Sequence, residues 1–353
     1  MSKDPVYKNL DFFIFVLMTN EFIKGVKQLL DTPRRIVLIP HFNPDGDAMG
    51  SSIALQMYFT KLGHDAVVVV PNDCPEILLW MPGMKNVLNY YHHGHQVIHR
   101  IIHADVIIAL DLNTLERTEK LAPLIQKSKA KIIMIDHHND PENFADWTYS
   151  NPNESSTCEM VYKLMEIIDK KLIDQDIATC LYTGILTDTG SFAYSSTSAN
   201  THFIAHKLLG SGINIGEIHQ KIYNQHTLGR VQLLGKALST LHRVNNLPVV
   251  YIHLTQNDLN AFGYKKGDTN GFVNYGLTIE DVELSVFFIE DAKSKKIKIS
   301  FRSKNYFSTQ DFASKNFNGG GHFHASGGYF EGTMENAITY FEKCIGQNAS
   351  EFS

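Results

Sequence analysis

Four short stretches, residues 35–40, 66–70, 105–111 and 131–136, are apolar almost without a break and rich in Val and Ile. A strand with one wet face alternates apolar and polar residues. Continuous runs suit strands buried on both faces, the mark of a parallel sheet. Between them, residues 51–62 carry helical periodicity and stop at Gly63, and helices are predicted over 156–168 and 174–185. This alternation implies an α/β fold whose N-terminal domain, residues 1–200, is a doubly wound parallel sheet. Near Asn200 the texture changes: 201–209, 215–223 and 227–241 read as helices, giving a helical connector over 201–241. After Pro248, the strands expected at 249–254, 282–289 and 296–301 alternate better, as a mixed sheet requires. A Gly-rich loop at 318–328 then precedes a last helix at 334–344. Residues 242–353 thus form a smaller C-terminal α/β domain, and 353 residues at about 150 per domain agree with two domains.

Composition narrows the function classes. Net charge is −5, so any contact with nucleic acid or phosphate must be made by a local site rather than by overall charge. The four cysteines, Cys74, Cys158, Cys180 and Cys344, form no CxxC pair, which argues against a zinc ribbon or a disulfide framework and fits a reducing cytoplasm. The apolar burst at 12–18 is too short to span a bilayer and is flanked by Asp11 and Glu21. Residues 12–30 are therefore expected to form an amphipathic helix on the first domain, with no membrane contact. Met18 is an alternative start that would make the first 17 residues an over-extension. The 17 histidines call for a metal search.

Three of the four N-domain strands run into Asp or His at their carboxyl ends. The first leads into His41-Phe-Asn-Pro-Asp45-Gly-Asp47-Ala-Met-Gly50-Ser51, the third reaches Asp111, and the fourth ends in Asp136-His137-His138. In open α/β sheets ligands bind outside the strand carboxyl ends, so these segments point at one crevice. Asp188, in Thr187-Asp-Thr-Gly-Ser-Phe192 at a helix end, could reach it too. Carboxylates and imidazoles without thiolate suit Mn²⁺ or Mg²⁺, and less specifically Zn²⁺ and Fe²⁺. Four Asp with two or three His are too many for one catalytic ion and about right for two ions sharing a bridging carboxylate. Gly46 and Gly50 are expected to let backbone approach the site, and Ser51 to cap the helix starting there. A second histidine group, His92, His93, His95, His99 and His103, lacks acidic partners and reads as an exposed helix face.

Taken in order, these motifs resemble the DHH phosphoesterase superfamily, in the DHH–DHHA1 branch that includes nanoRNases and 3′-phosphoadenosine-5′-phosphate phosphatases. The resemblance covers about residues 30 to 345, and its fifth motif is Gly319-Gly-Gly-His-Phe-His-Ala-Ser-Gly327 in the second domain. It implies two Mn²⁺ ions, with Mg²⁺ or other divalent ions as alternatives. His41, Asp45 and Asp111 would hold one ion, and Asp47, Asp111, His137 and Asp188 the other, with Asp111 bridging. Asp136 would orient the histidines and His138 would face substrate.

The same resemblance implies that the second domain recognises substrate. Arg302 would grip a phosphate, Gly320 and Gly321 would offer a backbone cradle, His322 would reach a terminal phosphate, and Asn270 in the 269–274 segment would line the cleft. Gly276 stands where the family commonly has proline. The implied activity is hydrolysis of short oligoribonucleotides or dinucleotides to 5′-mononucleotides, together with nucleotide 3′-phosphates such as 3′-phosphoadenosine 5′-phosphate. A cyclic or linear dinucleotide phosphodiesterase (c-di-AMP or pApA) and a non-catalytic nucleotide-binding protein stay open, as does a homodimer. A family II pyrophosphatase is disfavoured by the GGGH segment.

Overall fold

The computed structural model describes residues 20–291 and 294–352, with only the backbone described for Asn20 and His322. The chain divides into two compact units, Met1–Asn224 and Gln225–Ser353.

In the first unit, strands β1 (Arg35–Pro40), β2 (Asp65–Val70), β3 (Leu88–Asn89), β4 (Val106–Leu110), β5 (Lys131–Asp136) and β6 (Trp147–Ser150) form one sheet in the order β3-β2-β1-β4-β5-β6. All pairings are parallel. The four continuous apolar runs became the four central strands because both faces are covered. Ile36, Leu38, Val68 and Ile108 pack under the helices Gly46–Lys61, Thr157–Asp169 and Gln175–Asp188. Val37, Ile39, Val69 and Ile107 pack on the other face with Val97 and Ile101 of the helix Tyr90–Ile102. The edge strands β3 and β6 escaped the sequence pattern, being two and four residues long with little apolar continuity.

The helix that follows β1 differs from expectation at its start. It begins at Gly46, not Ser51, because the Asp45 side chain accepts from the Asp47 and Ala48 amides and caps it. Ser51 is therefore no cap: it is buried one turn inside, its Oγ donating to the Asp47 carbonyl at 2.8 Å. Gly46 and Gly50 also serve another purpose than expected. A Cβ on Gly50 would lie 2.5 Å from the Cys180 carbonyl, and one on Gly46 would lie 2.3 Å from Thr187 Oγ1. Both glycines let this helix lie against Gln175–Asp188. The helix Asn20–Leu29 buries Phe22, Ile23 and Val26 in the first core; the earlier part of the expected 12–30 helix, Met18 included, lies outside the described residues.

The expected connector over 201–241 is divided. Ala199–Leu209 and Ile215–Tyr223 pack on the first core through Ile204, Leu208, Ile218 and Ile222. Leu228–Ser239 packs Leu233 and Ala237 in the second unit. That unit holds β7 (His242–Arg243), β8 (Val249–Leu254), β9 (Leu284–Asp291), β10 (Lys296–Ser303), β11 (Gly320–His322) and β12 (Ala325–Glu331) in the order β11-β12-β10-β9-β8-β7, with β8 and β9 parallel and the rest antiparallel. The stretch expected as a Gly-rich loop is thus a hairpin, pairing Gly320 with Gly327 and His322 with Ala325. Gly321, at φ 144°, adopts a backbone that side-chain-bearing residues avoid, and so the glycines build a strand here rather than a flexible loop. Among the described residues, no helix is long and apolar enough to cross a membrane.

The helix contact yields a paired test. Gly50→Ala forces a methyl against a backbone carbonyl and is expected to destabilise by roughly 1–3 kcal/mol. Gly235→Ala, in a helix with nothing within 4 Å of the added carbon, should stabilise by roughly 0.5–1 kcal/mol. Urea denaturation midpoints decide; a Gly50→Ala midpoint equal to wild type would mean that glycine does not set this helix contact.

Candidate metal centre

Register brings the site together. Pro40 pairs with Leu110, and Leu110 with Ile135, so the residues that follow β1 and β4 and the end of β5 lie side by side. The strand order reverses between β1 and β4, which is where doubly wound sheets open a crevice at their carboxyl ends. His41, Asp111 and the Asp136-His137-His138 run are delivered there. The capped start of Gly46–Lys61 adds Asp45 and Asp47. Gln175–Asp188 runs three residues further than the sequence pattern indicated, and its last residue is Asp188.

Among the described residues, the side chains form three groups able to hold a metal ion: His41, Asp45 and Asp111; Asp47, His137 and Asp188; and Asp111, His137 and His138. His41 Nε2 lies 3.5 Å from Asp111 and 3.9 Å from Asp45. His137 Nε2 faces Asp188 at 3.3 Å, Asp111 at 3.5 Å and Asp47 at 4.0 Å. Each of the two rings has its Nδ1 against a backbone carbonyl, Phe42 at 2.8 Å and Glu154 at 3.3 Å. Donation from Nδ1 leaves the Nε2 lone pair toward the carboxylates. Acceptors then face acceptors at distances mostly too long for good hydrogen bonds, which is the arrangement a shared cation completes.

Charge points the same way. Burial, then the neighbouring Asp111 and Asp188, push the fully buried Asp47 well above the ordinary carboxylate range. Burial, then Asp111 and Asp45, push Asp188 up to about 8. Burial also works on Asp111, but when the rings are protonated rather than holding a cation, the hydrogen bond and charge of His41, with the charges of His137 and His138, outweigh it and hold this acid low. The cluster carries more negative charge than its imidazoles neutralise, so its donor set fits divalent cations.

Two roles need adjustment. Asp136, expected to orient both histidines, holds only His138: it accepts from the ring Nδ1 at 2.8 Å and from the His138 amide at 3.0 Å. His137 is aimed by the Glu154 carbonyl instead. The helix expected from 156 is found at Thr157–Asp169, but its role at the site was not foreseen: the Thr157 and Cys158 amides donate to Asp47 at 2.6 and 2.8 Å, and Thr157 Oγ1 donates to Asp111 at 3.1 Å. The signal was present, since Ser156 caps that helix and so fixes where its free amides point.

The remaining candidates lie in the second unit. Arg302 Nη1 donates to the Phe301 carbonyl at 2.8 Å. Gly320 and Gly321 are exposed in the β11 hairpin. Asn270 is exposed in a turn held from behind by the unforeseen Arg230, whose Nη2 donates to the Asn270 carbonyl at 2.9 Å. Gly276 has no room for the family's proline, a Cβ there already lying 2.2 Å from Ser285 Oγ. His92, expected on an exposed face, pairs with Asp73 at 2.7 Å, and none of His92, His93, His95, His99 and His103 joins a metal-binding group among the described residues.

Residues 35–185 match the DHH family, N-terminal domain, and residues 246–347 match the DHHA1 domain. The chain is 29% identical over 84% of its length to the bifunctional oligoribonuclease and PAP phosphatase NrnA of Thermus thermophilus, covering 84% of that protein. It is 26% identical to the protein of the same name from Bacillus subtilis, over 88% of this chain and 92% of that one. The crystal structure of an exopolyphosphatase-related protein from Bacteroides fragilis superposes with a TM-score of 0.91 at 38% identity, covering 95% of this chain and 98% of that one.

The two histidines should separate experimentally. His137→Ala is expected to lose about half of the bound divalent metal or more, while His138→Ala keeps the metal and loses rate. Metal analysis of both purified variants tests this, and equal metal loss would make His138 a ligand through the Asp111, His137 and His138 group.

Proposed function

This chain belongs to the DHH family, with a DHHA1 domain after its DHH domain, and from that premise we propose that it is a two-metal phosphoesterase using Mn²⁺. Its proposed substrates are oligoribonucleotides of a few residues, cut to 5′-mononucleotides, and 3′-phosphoadenosine 5′-phosphate, converted to AMP. The observation that carries this reading is the meeting of His41, Asp45, Asp47, Asp111, His137 and Asp188 in adjoining ligand groups at one set of strand ends. The names of the Thermus thermophilus and Bacillus subtilis relatives support the substrate class. The free state of Cys74, Cys158, Cys180 and Cys344 is consistent with a reducing cytoplasm.

The residues divide the work as follows. His41, Asp45 and Asp111 would hold one ion, and Asp47, Asp111, His137 and Asp188 would hold the other. When bound, the ions supply Lewis acidity that acidifies water and neutralises phosphoryl oxygens. Asp111, set immediately after β4 at φ 60° and bonded through its amide to the Ile135 carbonyl, is placed to serve both groups. Asp136 accepts from Nδ1 and so fixes the ring of His138, leaving Nε2 to face the substrate; in the imidazolium form, Nε2 would donate a hydrogen bond or proton to the phosphate or leaving group. In the second unit Arg302, with the backbone of Gly320, Gly321 and His322 and the Asn270 side chain, recognises the substrate's terminal phosphate and its surroundings.

Asp111→Asn removes a charge shared by both ion sites. Activity should fall to a few per cent or less with native circular dichroism; a variant retaining more than about a tenth of wild-type kcat would refute the bridging assignment. Turnover of pApA, pGpG, cyclic di-AMP, 3′-phosphoadenosine 5′-phosphate, a five-mer RNA and pyrophosphate with Mn²⁺ then ranks the substrates. Cleavage of pyrophosphate alone would sink the nucleotide reading.

Arg302→Ala should lower kcat/KM on pApA severalfold or more while barely changing hydrolysis of bis-p-nitrophenyl phosphate, which has no terminal phosphate to hold. Equal losses on both would show that Arg302 supports the fold rather than recognition.

A further inference from the structure

Behind the centre, three charged side chains are buried that none of the preceding roles uses. Lys163, Glu154 and Glu159 are 4%, 6% and 1% exposed. The Lys163 ammonium pairs with Glu154 and, at 3.0 Å, with Glu159. Glu159 also accepts from Ser155 Oγ at 2.6 Å, Asn200 Nδ2 at 2.7 Å and Thr201 Oγ1 at 2.9 Å, while Asn151 Nδ2 donates to Glu154 at 3.1 Å. Buried ion pairs rarely stabilise a fold more than apolar residues of the same volume, and here two carboxylates share one ammonium. Stability alone is a poor account of this network.

Its location supplies a better one. The network grips residues 154–159, and the same stretch touches three of the six candidate ligands. The Glu154 carbonyl aims His137, the Thr157 and Cys158 amides hold both oxygens of Asp47, and Thr157 Oγ1 reaches Asp111. None of these contacts is made by a charged side chain of the network, so it acts on the ligands only through the backbone it fixes. A polar network with every member satisfied specifies one backbone geometry, whereas apolar packing would tolerate small slips.

We infer that Glu154, Lys163 and Glu159 are positioning residues for the metal centre, fixing the 154–158 segment that aims His137 and clamps Asp47. Asn200 and Thr201 extend the device to the helix Ala199–Leu209. The inference rests on the reading of the centre as a metal site.

The test reads Mn²⁺ binding by the electron paramagnetic resonance of free Mn²⁺, with turnover of pApA beside it. Wild type should bind Mn²⁺; if it does not, the centre itself is overturned, and this inference with it. Lys163→Met, with native circular dichroism, should bind Mn²⁺ about ten- to a hundredfold more weakly and lose kcat, with KM within about twofold of wild type. Asn200→Ala, half-buried and touching no ligand, removes only the bond to Glu159; it should weaken binding by about twofold or more without unfolding the chain. Folded variants with the wild-type isotherm and kcat would overturn the positioning role while leaving the metal centre standing. If Lys163→Met fails to fold, the Asn200→Ala isotherm decides alone, and wild-type affinity there refutes the inference.

Discussion

The parallel pairing of β1 with β4 governs where every charged group of the centre falls. Five registered pairs, from Ile36 with Val106 to Pro40 with Leu110, bring the two strands to an end at the same level. The chain leaves them in opposite directions around the sheet, and the space this opens is bounded by His41 on one side and Asp111 on the other. A slip of one residue would turn Asp111 to the other face and dismantle both of its groups. Continuous burial of the β-branched runs on both faces is what holds that register.

The centre is expensive to hold together without cations. A buried carboxylate lacking a partner costs several kcal/mol, a large part of a domain's usual margin of about 5–15 kcal/mol. The fold offsets this unevenly. Asp47 receives two backbone amides at the start of the helix Thr157–Asp169, and Asp111 lies among three imidazoles. Asp47 and Asp188 are nevertheless driven toward protonation, first by burial and then by the negative charge of Asp111 beside both. Cation binding and folding of the first unit are therefore linked, since an ion that binds only the folded centre relieves the repulsion and stabilises the fold.

Both units carry their candidate residues on packed elements. The candidate ligands sit on strand ends, a capped helix start and a helix end, all backed by one packed core. In the second unit the phenylalanines Phe288, Phe301, Phe312, Phe317 and Phe341 form the interior that supports β10 and the hairpin of β11 and β12. Arg302 is the residue before the last in β10, and Gly320 begins β11, so both recognition candidates are carried by strands over that aromatic core.

Much of this was legible in the sequence, because burial on both faces leaves a one-dimensional trace. The runs around Val37, Val68, Ile108 and Ile133 announced the central strands, and the Asp and His residues at their ends announced the centre. Asp45 was visible as a candidate ligand but not as the cap that moves the helix start from Ser51 to Gly46. That choice depends on which of two competing side chains finds free amides in three dimensions. The 318–328 segment looked like a loop because glycine composition carries no register; pairing with β12 makes it a strand. The division of 201–241 depended on which core each helix could cover, a matter of surfaces rather than of periodicity. The sequence by itself determined the alternation of elements and which Asp and His residues are candidate ligands, through local burial and residue chemistry. Only the tertiary structure decided that Asp136 holds His138 alone, that the Glu154 carbonyl aims His137, and that Lys163 is buried behind them. Those contacts join residues whose spacing along the chain carries no signal until the strands are laid side by side.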